Sequence, residues 1–123
     1  MEQWRDVVGY DGLYEVSNLG RVRSCKRNIM LTLFKSNKGY LRCELWKDSK
    51  KRKFGVHRIV ALAWIPNDDV EKNQVNHINE VKTDNRVENL EWCTNKYNNN
   101  YGHKNDNWRF TYYYKRGREV PLW

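Results

Sequence analysis

An α+β fold is predicted for this chain: a small antiparallel β module, then one apolar helix, then a strand–loop–strand–helix unit. Three observations predict it. Short runs in the first half alternate apolar and polar residues between turn residues. A single apolar run near residues 56–64 has helix length, with a proline just beyond it. Residues 74–101 read as two short strands around a polar connection, followed by a capped helix.

The β module comes first. Gly12, Asn18-Leu19-Gly20, Asn37-Lys38-Gly39 and Asp48-Ser49-Lys50 punctuate it, each carrying residues that accept turn geometry. Between them Arg21-Val22-Arg23-Ser24 and Tyr40-Leu41-Arg42-Cys43-Glu44-Leu45 alternate in period two. Lys51 to Val56 follows the third turn as the return strand of a hairpin. One face is then apolar, and the other presents Arg21, Arg23, Arg42, Lys51 and Lys53, or a subset of them. A two-stranded ribbon of this kind is narrow enough to enter the major groove of DNA.

The helix runs from Val56 to Trp64, with Ile59, Val60, Leu62 and Ala63 expected toward the core, and Pro66 stops it. Asn67 to Lys72 is a polar loop. Gln74 to Ile78 forms a strand, and Leu90 to Cys93 a second one. Thr94 caps a last helix through Asn98 to about Tyr101, stopped by Gly102. Further on, Phe110 to Tyr114 and Val120 to Trp123 flank Lys115-Arg116-Gly117-Arg118, which resembles a hairpin with a basic tip.

Composition bounds the function. A chain of 123 residues suits one domain, or two very small ones sharing a surface, and at 39% hydrophobic residues the core is small. Six Trp and eight Tyr supply much of its burial. No apolar run approaches the ~20 residues that cross a bilayer, and no signal segment opens the chain. Cys25, Cys43 and Cys93 are odd in number and widely spaced, without a C-x-x-C pair. Neither a disulfide framework nor a structural zinc is expected; the three are read as small buried residues in a reducing cytoplasm.

The net charge of +8 is unevenly placed. Residues 1–20 sum to −3, residues 21–58 to +11, and residues 59–123 to zero. Charge alone leaves two readings open: ordinary solvated lysines and arginines, or a face that grips a polyanion such as nucleic acid.

The chemistry lies in Val75-Asn76-His77-Ile78, Asn89-Leu90-Glu91-Trp92 and Asn95-Lys96-Tyr97-Asn98. Phosphodiester hydrolysis needs a base for water, a cation on the phosphate, and a group that holds the base in its pose. Histidine suits the first role, since its pKa lies near neutrality. Side-chain oxygens suit a hard cation, and an amide can orient an imidazole.

These runs resemble the HNH endonuclease finger, particularly its phage and intron-encoded homing branch. Val56-His57-Arg58-Ile59-Val60-Ala61 matches that branch too. The run from Trp4 to Val22 is similar to the small module that often precedes the finger. The resemblance implies a β-β-α metal (His-Me) finger with its preceding helix over residues 56–104. It implies a DNA-binding β module over 1–55 and leaves an aromatic, basic tail over 105–123. His77 would be the general base, and Asn89 would hold the loop and orient His77. Asn76 and Asn98 would ligate one divalent ion, Mg²⁺ or Mn²⁺. The implied activity is nicking of double-stranded DNA by a monomer or homodimer, leaving a 5′ phosphate and a 3′ hydroxyl, inside a bacterial host cell and encoded by a phage or mobile element.

Two departures stand out. Many members carry Asp where this chain has Asn76, and an amide oxygen is the weaker Mg²⁺ ligand. An acidic residue and a glycine usually follow the histidine, whereas Asn79-Glu80-Val81 stands here. These motivate a second reading, a degenerate finger that binds DNA or a protein partner without cutting; an RNA-cutting variant is a third. His57 is read as structural, tying module to finger, and Arg58 as a phosphate contact. Glu80, Asp84, Glu88 and Glu91 read as solvated acids or alternative ligands, and His103 is given no catalytic role.

Overall fold

The computed structural model of the chain describes residues 1–101. Among these residues nine short strands form three antiparallel sheets around the first of two α-helices. The first sheet is a meander of β1 (Trp4–Asp6), β2 (Tyr14–Ser17), β3 (Val22–Ser24) and β4 (Ile29–Met30). The second contains β5 (Phe34–Lys35), β6 (Leu41–Lys47) and β7 (Lys50–Gly55). The single β module expected from the sequence is therefore two sheets, and Arg21 and Arg23 do not share a face with Arg42, Lys51 and Lys53.

The β6–β7 hairpin forms as the alternation predicts. Asp48 and Ser49 both take positive φ, 54° and 66°, the geometry of a two-residue turn that matches strand twist. Register then sets the faces. Cys43 and Leu45 are fully buried, while Arg42, Trp46, Lys51 and Lys53 lie on the other side, with Lys53 opposite Glu44 and Lys51 opposite Trp46.

Helix α1 (Val56–Trp64) ends before Pro66 as expected. It buries Val56, Ile59, Val60 and Ala61 against all three sheets. Burying each of these aliphatic side chains stabilises the fold by about 1.5–3 kcal/mol, less for alanine. Leu62 corrects the sequence reading, since it is 48% exposed. At 3.6 residues per turn it sits about 200° around the helix from Val60, on the opposite face.

The third sheet pairs β8 (Gln74–His77) with β9 (Leu90–Cys93), with His77 opposite Leu90 and Asn76 opposite Glu91. A 3₁₀ turn, Val87–Asn89, leads into β9. Helix α2 (Asn95–Asn99) follows, its N-terminus capped by the Thr94 hydroxyl, which accepts from the Tyr97 amide. One core joins the sheets, running from Val7, Val16 and Val22 through Leu45 and Val60 to Val75 and Leu90.

Cys43 and Cys93 are buried, and burial pushes both thiols up to about 12, which keeps them inert. Cys25 is exposed instead of buried, because it falls in the turn after β3. No helix among the described residues is long and apolar enough to cross a membrane. His103 and the hairpin expected over 110–123 lie outside the described residues.

Candidate active site

Strand β8 delivers Asn76 and His77 to a pocket of about 310 Å³, and α2 delivers Asn98 to the same pocket. Tyr40, Val75, Glu80, Lys82, Asn99 and Tyr101 complete its wall. The β-β-α geometry does this directly. Pairing with β9 fixes β8, and the Thr94 cap starts α2 one residue after β9 ends.

His77 is buried, and its Nε2 lies 2.7 Å from Asn85 Oδ1. Its ring sits 5.2 Å from that of His57, which stacks in turn on Tyr40 at 5.1 Å. Burial lowers the His77 pKa, the Asn85 hydrogen bond and Asp84 oppose that shift, and Lys82 adds to it. His57 is driven lower, to about 4, first by burial and then by His77. Both rings are therefore neutral at pH 7. His57 occupies the junction between module and finger expected of it.

Asn89 holds the loop after β8. Its Nδ2 donates to Asn79 Oδ1 at 2.9 Å and to the Asp84 carbonyl at 2.8 Å, and its Oδ1 accepts from the Asn79 amide at 2.9 Å. The ring contact expected of Asn89 is made by Asn85 instead, because the Asn89 amide is filled by loop partners. In the turn itself the left-handed residue is Glu80, φ 65°. Asn79 serves through its side chain, accepting from the Val81 amide at 2.9 Å and donating to Asp84 at 2.8 Å.

Asn76 is similarly fixed. Its Nδ2 donates to Glu91 Oε2 at 2.8 Å, and the Tyr97 hydroxyl donates to the same oxygen at 3.0 Å. That leaves Asn76 Oδ1 as the atom available to a cation. Besides the His77 ring, the pocket offers side-chain oxygens from Asn76, Asn98 and Glu80, a set that fits a hard divalent ion retaining several waters. Among the described residues no three His, Cys, Asp or Glu side chains cluster as a metal site.

The cations separate into two groups. Arg21 forms an ion pair with Glu2, its Nε donating at 2.8 Å. Arg23 pairs with Glu15 at 2.7 Å and lies over the Trp4 ring. Arg58 donates to the Asn73 carbonyl at 2.7 Å and packs over Trp92, away from the His77 pocket. Arg42 and Lys53 form no side-chain hydrogen bond or ion pair among the described residues, and Lys51 reaches Glu44 only at 3.8 Å. Arg42 lines a hollow with Lys38, Tyr40 and His57, and Tyr40 is also a wall of the His77 pocket.

Sequence reasoning missed Asn85, Lys82, Tyr40 and the role of Glu91. Glu91 was legible, because the β8–β9 register places it opposite Asn76. Asn85 was not, since only a tertiary contact distinguishes it from its polar neighbours.

Two family models match the chain, the NUMOD4 motif over residues 2–46 and the HNH endonuclease over residues 54–100. Residues 54–100 thus match the HNH endonuclease family. It is 38% identical over 96 residues to the DNA endonuclease I-HmuI of Bacillus phage SP01, covering 78% of this chain and 55% of that protein. An HNH endonuclease of Acanthamoeba polyphaga mimivirus, L245, is 39% identical over 99 residues, 80% of this chain and 29% of its own length. The solved structure of the HNH homing endonuclease I-HmuI, described for DNA binding and cleavage, matches with a TM-score of 0.73 at 38% identity, over 78% of this chain and 55% of that one. The chain thus spans about half the length of the phage relative, and less of the viral one.

Proposed function

We propose that this chain is a metal-dependent DNA endonuclease that hydrolyses phosphodiester bonds with His77 as general base. One observation carries the reading: His77, buried and held from one side, lines the same pocket as the oxygen donors Asn76 and Asn98. The lowered pKa keeps its ring neutral, the form that can take a proton from attacking water. Asn76 and Asn98 would hold one divalent ion, Mg²⁺ or Mn²⁺, through their amide oxygens. Glu91 would keep the Asn76 amide turned for that role. When bound, such an ion neutralises charge on the scissile phosphate and the departing 3′ oxygen. The products would be a 5′ phosphate and a 3′ hydroxyl, and a single finger would nick one strand.

The DNA grip belongs to the outer face of the β6–β7 ribbon, with Arg42, Lys51 and Lys53. Arg42 and Lys38 would lead the backbone along Tyr40 toward Lys82 and the pocket. The likeness to a relative described as binding and cleaving DNA supports the same substrate here. A supercoiled plasmid incubated with Mg²⁺, Mn²⁺ or EDTA tests the reading. Conversion to open circle in metal alone, reduced by about 10³-fold or more in His77→Ala, is expected. Plasmid that stays supercoiled in both metals would assign the finger to binding without cleavage.

A further inference from the structure

We propose that Asn85 is a positioning residue for His77, and that the Gly20 turn of the first sheet holds Asn85 in place. The contact fixes the imidazole as the Nε2–H tautomer, so that Nδ1 carries the lone pair. The β module is then part of the catalytic geometry as well as a grip on DNA. This proposal rests on the reading of His77 as base.

Three observations carry it. Asn85 is 3% exposed and His77 5%, and Oδ1 of the first meets Nε2 of the second at 2.7 Å. A carbonyl oxygen only accepts, so Nε2 must be the protonated nitrogen. Nδ1 of His77 makes no hydrogen bond with any described residue, and the ring lines the pocket.

The second observation is the close approach of Gly20. A methyl group there would lie 2.9 Å from Asn85 Cβ and 3.1 Å from its carbonyl oxygen. Gly20 also takes φ +92°, so glycine is required twice over. The third is the stiffness of that turn. Ser17 is fully buried, and its hydroxyl accepts from the amides of Leu19 and Arg21, both at 3.1 Å. The Asn18 carbonyl accepts from the Val87 amide at 3.0 Å, binding the turn to the segment that carries Asn85. On the other side Arg86 and Asn79 pin Asp84. Asn85 is gripped from the neighbouring sheet and from both sides along the chain. Its Nδ2 is buried without a partner among the described residues, so no other described group uses this amide. A buried half-satisfied amide is costly, and its retained bond is the one to His77.

The experiment is ¹⁵N NMR of histidine-labelled, metal-free protein at pH 8, with the His77 ring signals assigned by comparison with His77→Gln. The wild type should show the Nε2–H tautomer. Asn85→Ala should mix the tautomers and lower the nicking rate constant by about 10²-fold while the Kd for DNA holds within about twofold. Gly20→Ala should shift the same signals in the same direction. Asn85→Asp keeps an acceptor oxygen and should retain the Nε2–H tautomer. An Nδ1–H tautomer in the wild type would overturn the proposal. So would an unchanged His77 spectrum in a folded Asn85→Ala protein. The spectrum decides the matter whether or not the protein cuts DNA, so a failure of the nuclease reading is separable from a failure of this one.

Discussion

The two sheets of the β module use their cations in opposite ways. In the four-stranded sheet Arg5, Arg21 and Arg23 are occupied inside the protein, while the Arg27 side chain, in the turn after β3, has no hydrogen bond or ion pair among the described residues. Arg5 donates to the Ala63 carbonyl and lies over Trp64, Arg21 pairs with Glu2, and Arg23 is held between Glu15 and Trp4. In the three-stranded sheet Lys47 is tied to the Gly9 carbonyl beside Tyr10, but Arg42 and Lys53 have no side-chain hydrogen bond or ion pair among the described residues, and Lys51 has a distant one. The first sheet is neutralised and fastened to α1 and to the loop that carries Asn85. The second projects its charge outward beside the His77 pocket. A charge count of +11 over residues 21–58 includes both kinds and cannot separate anchor from grip.

Replacing the outward set is the strongest way to break this contrast. In Arg42→Ala/Lys51→Ala/Lys53→Ala, three phosphate contacts are lost. Each released counterion contributes a slope of about 0.9 in the dependence of log affinity on log salt, so the slope should become shallower by about 2.7 and the affinity fall by two to three orders of magnitude at roughly 0.1 M salt. Fluorescence anisotropy with a labelled duplex across a salt series measures both. An unchanged slope would mean that DNA lies elsewhere on the protein.

The sheets also differ in how they meet the finger, and the larger histidine pKa shift lies at the second junction. The first sheet meets the finger through backbone, a glycine and Arg5, which reaches the end of α1. The second meets it through stacked rings, Tyr40 on His57 and His57 beside His77. The folded pKa of His57, about 4, lies below its ordinary 6.5. Protonation therefore favours the unfolded chain. The stability due to the neutral ring is complete above about pH 6.5 and declines as pH falls toward 4. Urea unfolding followed by tryptophan fluorescence should give a stability about 2 kcal/mol lower at pH 5 than at pH 8, and His57→Gln should flatten much of that difference. Equal acid sensitivity in the variant would place the loss at other groups.

Local rules made α1, the β6–β7 hairpin and the β8–β9–α2 unit legible, because each is set by periodicity and by turn or cap residues within the element. The division of the module into two sheets was not legible, because it depends on which strands pair across the chain. The same limit applies at the site. His77, Asn76 and Asn98 were named by the resemblance to the HNH finger, and the structure brings them to one pocket. Asn85 reaches His77 only because Gly20, sixty-five residues earlier, lacks a side chain. Glu91, read as a solvated acid, holds the Asn76 amide that replaces the usual carboxylate.

The smallest expected effect comes from the anchored arginines, and its smallness is informative. Arg23→Gln removes a partly exposed ion pair and a cation over Trp4, contacts worth together about 1 kcal/mol. Arg21→Gln removes a more exposed pair worth less. The double variant should therefore unfold at slightly lower urea while its DNA affinity changes by less than about threefold and its salt slope stays within about 0.5 of the wild type. Both variants remove one positive charge per site, as the ribbon variant does at its three. If binding followed net charge, the double variant would lose about two-thirds of the slope that the triple variant loses. If it follows the faces set by strand register, affinity and stability separate: the ribbon variant binds poorly and stays folded, whereas the meander variant binds normally and folds less well.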